Sequence, residues 1–331
     1  MANRNDVAKK AGVSGATVSR VFNKNKYVSK DVRDRVLNAA KELNYHPNEI
    51  ARGFAMGSTG NIGVIVPYIP KVHIFSSYYF SEILSGIGES LNNLGFNLLL
   101  HFCKTNDNNE YVDFFKKGRV DGVIIIGAKA EDERVKRLFA YNSKFCLINS
   151  YMGNNDINFV DVNNEKGAFM AVDYLIKKGH KKIAFVNGPD EYINSRDRLI
   201  GYKNALIKAG IELNKKYIFY GNYGMKSGYE CGQEIIKMKD IPTAVFISND
   251  RMARGVVNAL ISDGIIVPDD VAVIGYDDGD IAKYPHPMLS TMKVPFFKLG
   301  SVCAENLINY IKDKKQFGIF LEPELVERET T

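Results

Sequence analysis

The chain has only four cysteines and five histidines in 331 residues. Cys103, Cys146, Cys231 and Cys303 lie far apart with no paired spacing. That speaks against a disulfide framework or a metal site and favours reduced thiols inside packed cores. His46, His73, His101, His180 and His286 have no spacing that would set a base beside a nucleophile. The sequence therefore nominates no catalytic residue, no metal ligand and no cofactor, and argues against an enzyme. No apolar run reaches ~18 residues and no secretory signal is evident, so the expectation is a cytoplasmic protein that does not engage a membrane.

Charge is unevenly placed. The net charge of +6 comes from 44 Lys and Arg against 38 Asp and Glu, and residues 1–60 alone hold 11 of the bases and five of the acids. The other 271 residues are electrically neutral. A basic module on a neutral body is the footprint of a phosphate binder, because Lys and Arg release condensed counterions on contact with nucleic acid.

Within that basic end, residues 11–23 read Ala-Gly-Val-Ser-Gly-Ala-Thr-Val-Ser-Arg-Val-Phe-Asn. Val7, Ala8 and Ala11 give a first helix one apolar face. Gly12 supplies a turn conformation that larger residues resist, and Ser14 is placed to cap a second helix. Val18, Val21 and Phe22 recur at helical spacing and point inward, leaving Gly15, Ala16, Thr17, Ser19 and Arg20 on or near the opposite face. A third helix, capped by Ser29, carries Val32, Val36, Leu37, Ala40 and Leu43 as its core stripe. A glycine turn between helices is common in proteins. Here the charge tips the reading toward a helix-turn-helix whose second helix enters a DNA major groove.

Asp6-Val7-Ala8, Ala11-Gly12-Val13-Ser14, Thr17-Val18-Ser19-Arg20-Val21 and Asn23, followed by Tyr45-His46-Pro47-Asn48 and Ile50-Ala51-Arg52, resemble the head and hinge of the lactose-repressor (LacI/GalR) family of bacterial transcription regulators. The closing Leu325–Thr330 resembles the last strand of that family, so the likeness covers essentially the whole chain. It implies DNA contacts from Ser14, Gly15, Ala16, Thr17, Ser19, Arg20, Asn23, Tyr45, Asn48, Arg52 and Phe54. Two departures stand out: Asn3-Arg4 replaces the usual Thr and aliphatic residue before the first helix, and Gly53-Phe54 replaces x-Leu after Ala-Arg. The resemblance gives Phe54 the role of an apolar wedge in the minor groove. The residues themselves leave open that Phe54 packs the hinge onto the body.

After the head, β-rich runs alternate with helical segments. Strands are expected at 62–66, 96–100, 120–126 and 145–148 with crossovers at 81–94, 108–117 and 131–140. The pattern restarts with strands at 182–187, 216–220, 243–247 and 271–276 between helices at 165–178, 196–210, 226–237 and 250–263. The fold class is thus an all-α helix-turn-helix head on an α/β body of two doubly wound parallel-sheet halves. The domains are residues 1–46, a hinge at 47–60, and a body at 61–331. The resemblance to sugar-binding periplasmic proteins divides the body into a first half of 61–161 plus 291–320 and a second of 162–290 plus 321–331.

The resemblance also places an effector in the cleft between the halves. It implies that Arg198 hydrogen-bonds the ligand, that Tyr223 stacks on it, and that Asn249 and Asp277 present polar groups to it. Tyr79-Phe80 takes the place of an aromatic pair, beside a long aromatic loop at 67–77. Residue types alone leave alternatives: a surface ion pair of Arg198 with Asp197 or Glu191, a packing role for Tyr223, a cap at Asp250, and a solvated turn at Asp277-Asp278. The implied protein is a homodimer on a palindromic operator, answering to a small sugar-like effector and repressing carbohydrate-use genes. The alternatives are a global carbon-catabolite regulator that partners a phosphorylated carrier protein, and a sugar-transport binding protein.

Overall fold

A computed structural model describes residues 2–22, 27–46, 58–67, 74–103, 107–154 and 156–331. The chain divides into two compact units, residues 1–59 and 60–331. Of the residues considered above, Asn23, residues 47–57 of the nominated hinge (Asn48, Arg52 and Phe54 among them) and residues 68–73 of the 67–77 loop lie outside the described set.

The head holds α1 (Arg4–Ala11), α2 (Gly15–Phe22) and α3 (Lys30–Glu42) around a small core of Val7, Ala8, Ala11, Val18, Val21, Val36, Ala39 and Ala40. Gly12 ends α1 at φ +65°, the left-handed geometry that favours glycine. The Arg35 guanidinium donates to Ala11 O at 3.2 Å and ties α3 to that turn. Leu37, expected in the α3 stripe, is 44 % exposed. It stands about 100° around the helix from Val36, and the smaller Ala39 takes the inner position, letting the three short helices approach closely.

The body contains two six-stranded sheets. The first comprises β1 (Asn61–Val66), β2 (Asn97–Phe102), β3 (Gly122–Ile126), β4 (Phe145–Ile148), β5 (Phe159–Val162) and β11 (Gly318–Leu321), ordered β2-β1-β3-β4-β5-β11 and all parallel. The second comprises β6 (Ile183–Asn187), β7 (Ile218–Tyr220), β8 (Ala244–Ile247), β9 (Ala272–Asp277), β10 (Ser290–Lys293) and β12 (Glu324–Val326), ordered β7-β6-β8-β9-β10-β12. Only β12 runs antiparallel to its neighbour.

Both strand faces are covered, which explains continuous apolar runs in place of alternation. Along β6, Ile183 and Phe185 join one core while Ala184 and Val186 join another. The first sheet carries α4 (Tyr78–Asn93) and α12 (Phe296–Asp313) on one side. On its other side lie α5 (Glu110–Lys116) and α6 (Glu133–Ala140). The second sheet is flanked by α7 (Asn164–Lys177) with α8 (Ile193–Lys208), and by α9 (Met225–Ile236) with α10 (Asp250–Ser262). A short α11 (Asp280–Lys283) follows β9.

Helices α4 and α12 touch backbone to backbone: a Cβ added at Gly86 would stand 2.0 Å from Phe297 O, and one at Gly300 would stand 2.1 Å from Ile83 O. The chain passes between sheets after β5, β10 and β11. Each passage falls slightly later than the sequence suggests: Val162 and Leu321 pair in the first sheet, and residues 291–293 pair in the second. The short strands β10 and β11 lie next to polar residues, so their apolar signal is weak.

Candidate functional site

In the head, Asn3 replaces the usual Thr effectively. Its Oδ1 accepts from Asn5 N at 2.8 Å and Asp6 N at 3.2 Å, while Asp6 accepts from Asn3 N, completing a capping box. Ser14 Oγ accepts from Thr17 N at 3.1 Å and lies 3.0 Å from the Thr17 hydroxyl. The Ser19 hydroxyl donates back to Gly15 O at 3.2 Å. Three hydroxyls of the candidate surface thus shape α2 itself. Ala16 and Arg20, one turn apart, are the exposed side chains among the candidates that follow Ser14 on this helix. Gly15 lies against Arg4, whose Nε is 3.2 Å from the position of an added Cβ. This brings a second cation to the start of α2, one that sequence reasoning passed over because Arg4 stands in the wrong place for the usual motif. Tyr45 is half-buried, its ring edge-on to Phe22 at 5.8 Å, so its first role is packing.

In the body, Arg198 is 3 % exposed on α8. Its Nε and Nη2 donate to Asn164 Oδ1 at 3.0 and 2.8 Å, its Nη1 donates to Ser248 O, and the guanidinium lies 3.8 Å above the Tyr276 ring. Neither Asp197 nor Glu191 pairs with it. Asn164 passes the chain of bonds on to Val162 O at 3.1 Å and Asp161 Oδ1 at 3.4 Å. Asn163 caps α7 through Lys166 N. The Asn163-Asn164 pair therefore builds a cap and an arginine anchor, and Asn164 joins the site although it was not nominated.

Asp277 ends β9 at φ +124°, a backbone geometry unfavourable to most side chains. Burial and the charge of Asp250 push its carboxyl well above the usual range, and nearby Arg198 opposes them. Its neighbour Asp278 is committed elsewhere, accepting from Arg328. Asn249 is the α10 cap, accepting from Met252 N at 3.0 Å, and its amide donates to Tyr223 O at 3.1 Å. Asp250 is not the cap. Its carboxylate accepts from Thr291 Oγ1 at 2.6 Å and Gly279 N at 3.0 Å.

Tyr223, at φ +64°, donates to Asn194 Oδ1 at 3.1 Å and its hydroxyl meets that of Ser195. Its ring lies over Gly188, where an added Cβ would stand 2.2 Å from Cζ; glycine is the residue that leaves this room. Tyr79 Oη accepts from Asn149 Nδ2 at 3.3 Å, and burial raises its pKa, with the charges of Asp161 and Asp277 adding to the effect. Phe80, nominated beside it, is 4 % exposed in the core with Ile83, Ile87 and Leu91. Those four residues form the buried stripe of α4 at helical spacing, which turns Phe80 away from the cleft. Tyr78 takes the outward place: it lies against Gly279, and the Lys283 ammonium is 5.7 Å from its ring centre. The structure thus gathers Tyr79, Arg198, Tyr223 and Asp277 with Asp161, Asn164, Tyr78 and Ser195 between the two sheets.

Next to this cluster a cavity of 580 Å³ lies beyond the carboxyl ends of β1, β2 and β3, facing the first turn of α8. Across it, Lys129 Nζ meets Glu191 at 3.1 Å and Ala130 N donates to Glu191 O at 2.9 Å. Among the described residues no group of three or more His, Cys, Asp or Glu could hold a metal ion, and no helix is long and apolar enough to cross a membrane.

The buried acids make stability depend on pH. Burial raises Asp161 and Asp250 to about 7 and Asp197 to about 6, from 3.8. Between the unfolded and folded values the native state holds protons that the unfolded chain has lost, so stability falls as pH rises through roughly 4 to 7. The slope is about 1.4 kcal/mol per pH unit for each fully titrating group. His180, lowered chiefly by burial, opposes this weakly near its own range. The exposed acids held low by lysines, Asp173, Asp240 and Glu327, act below the window. The expected result is a lower thermal midpoint at pH 8 than at pH 5.5, read by calorimetry. A midpoint that rises across this range would mean that these carboxyls ionise in the fold without cost.

Comparison with known proteins bears on the family and the fold. Residues 5–48 match the family model for bacterial regulatory proteins of the lacI family, and residues 172–331 match a periplasmic binding protein-like domain. The HTH-type transcriptional repressor PurR of Photobacterium profundum is 34 % identical over 338 residues, covering 100 % of this chain and 98 % of the relative; PurR of Haemophilus influenzae is 32 % identical at the same coverage. Among solved structures, a Lac repressor dimer bound to operator and the anti-inducer ONPF superposes with a TM-score of 0.89 at 28 % identity, covering 100 % of this chain and 99 % of that one. A complex of the regulator CelR with cellobiose gives 0.78 at 29 %, with full coverage of both chains. A basic three-helix head that matches the family's DNA-binding domain, a two-sheet body with a partly buried Arg–Asp–Tyr cluster, and full-length similarity to repressors together place this chain in the lacI family of bacterial DNA-binding transcriptional repressors.

Proposed function

We propose that the chain is an effector-responsive repressor that binds a palindromic operator as a homodimer in the cytoplasm, without catalysis, and releases or grips DNA according to a small molecule in the cleft of its body. One observation carries the reading: Tyr79 from the first half and Arg198, Tyr223 and Asp277 from the second converge in one cluster, with Arg198 buried and the other three partly buried. A ligand held there touches both halves and so has different affinities for their different relative orientations. Arg198 and Asp277 offer a fixed donor fork and an acceptor for paired hydroxyls, beside tyrosine rings with polar rims. That suits a neutral sugar and genes of carbohydrate use.

A planar heterocycle such as a nucleobase is the second reading, favoured by the rings of Tyr192 and Tyr223, whose centres are 6.2 Å apart. The test begins with selection of binding sites from random duplexes, followed by a panel of sugars and nucleobases scored for thermal stabilisation and change in operator affinity. A ligand at 100 times its dissociation constant adds about 2.7 kcal/mol to stability. A two-fold symmetric site and a sugar that shifts both readouts are expected. Asymmetric sites, or a panel in which only nucleobases act, would contradict the dimer and the sugar respectively.

A further inference from the structure

We infer that the body carries a second small-molecule site, at the end of the first sheet opposite the cleft, and that this site takes a small organic ammonium: one ring with a short cationic arm. The inference is independent of what the cleft binds. The strands of this sheet run parallel, so the cleft lies beyond their carboxyl ends and the second site lies at the amino ends of β4, β5 and β11. A cavity of 280 Å³ opens there. Ser143 and Phe145 line it at the start of β4, Ile157 and Asn158 just before β5, Gln316 just before β11, and Tyr310 in the last turn of α12. It shares no lining residue with the 580 Å³ cavity, and none of the residues gathered around Arg198 reaches it. An apolar cavity of ~150 Å³ holds a benzene ring, so this one has room for a ring and a short arm. It lies just below the roughly 300–1,000 Å³ of pockets for larger ligands.

Unspent oxygen atoms give the cavity its chemistry. Ser143 is 6 % exposed, and its hydroxyl is buried with no hydrogen-bond partner among the described residues. Buried polar atoms are nearly always paired, so one left open in a cavity wall marks a place for a ligand atom. The neighbouring amide is already spent: Asn158 donates to Phe145 O at 3.3 Å and accepts from Phe317 N at 2.9 Å. The Tyr310 hydroxyl and the Asp156 carboxylate also belong to the lining, and neither has a hydrogen bond or ion pair among the described residues. Asp156 is the one charged residue of that lining; Lys144, Lys314 and Lys315 stand close in the sequence but do not line it. Both α6 and α12 end here, with Phe139 and Tyr310 in their last turns, and a carboxyl helix end carries partial negative charge. An anion would therefore meet an acid with no cation opposite it. An ammonium meets a carboxylate and hydroxyl acceptors for its N–H groups, with the rings of Phe139, Phe145 and Tyr310 to cover an apolar body and attract the charge.

The test is calorimetric titration of the full chain with phenethylamine, phenethyl alcohol and phenylacetate, in the wild type and in Asp156→Asn and Ser143→Ala. The three probes share a ring and a short arm and differ in charge. Asp156 is exposed, and Ser143→Ala removes an oxygen that bonds to nothing described, so the fold tolerates both changes. Phenethylamine is expected to bind about tenfold tighter than phenethyl alcohol, the gain from one charge-assisted hydrogen bond, and phenylacetate more weakly than either. Asp156→Asn should bring the ratio of amine to alcohol toward one, and Ser143→Ala should weaken both. An alcohol or carboxylate that binds as tightly as the amine overturns the ammonium site. So does an amine affinity untouched by both substitutions, and so does the absence of saturable binding by any of the three probes.

Discussion

Asp277→Asn is expected to abolish the response to effector and, at the same time, to raise the thermal midpoint of the protein above pH 7. The two effects share one cause. The carboxyl is held where ionisation is unfavourable, buried and beside Asp250, with Arg198 compensating in part. An amide removes that buried charge, and Asn tolerates positive φ better than most residues. It also removes a charge-assisted acceptor for ligand hydroxyls, worth about 1.5–3 kcal/mol, a fall of roughly 10- to 150-fold in effector affinity. Calorimetry gives the midpoint and titration gives the affinity, while operator binding without effector separates lost signalling from lost folding. A variant that is destabilised yet still responds at wild-type effector concentration would remove Asp277 from the ligand site.

Arg20→Ala is expected to weaken specific operator binding by about 1–3 kcal/mol and to relax base preference at one position of each half-site. Arg20 is exposed in the last turn of α2, whereas Ser14, Thr17 and Ser19 use their hydroxyls within the helix. Few side chains on this face remain to reach a base edge, and a guanidinium that meets a guanine in two places discriminates where a small side chain cannot. Arg4→Ala should act differently: a cation beside Gly15 suits a phosphate, so its loss should weaken all sequences alike and lower the salt dependence by about one ion. Quantitative binding to the selected operator and to single-base variants, at two salt concentrations, measures both. Unchanged affinity in Arg20→Ala would refute the docking of α2.

Much of this was legible because the signals are local. The cap at Ser14, the left-handed turn at Gly12 and the unbroken apolar runs of the parallel strands depend on neighbours within a few residues. The strands and helices nominated in the body start and end within a few residues of those observed. What escaped depends on distant contacts. Phe80 and Tyr78 differ only in helical phase, and adjacent aromatics do not reveal which one faces the core. Asp250 looks like the cap in the sequence, but the fold brings Thr291 and Gly279 to it and leaves the cap to Asn249. Asn164 carries no chemical signal of its own; its role appears only when Arg198, 34 residues later, folds back onto it. The outer cavity, built from loops of both halves, has no motif at all.

The glycine contact between α4 and α12 has a mechanical consequence. Two helices whose backbones touch cannot slide or bend independently, since any shear drives carbonyls into Cα atoms. The 16 residues of α4 form a strut about 24 Å long at ~1.5 Å per residue. One end carries Tyr78 and Tyr79, whose rings meet Phe296 of α12 at 6.0 and 5.1 Å. The other leads through Leu94 and Gly95 into β2, where Asn97 N donates to Gly60 O at 2.8 Å. Gly60 is the residue at which the body begins. A push at the tyrosines is therefore expected to be carried along this pair toward the peptide from which the segment leading to the head departs.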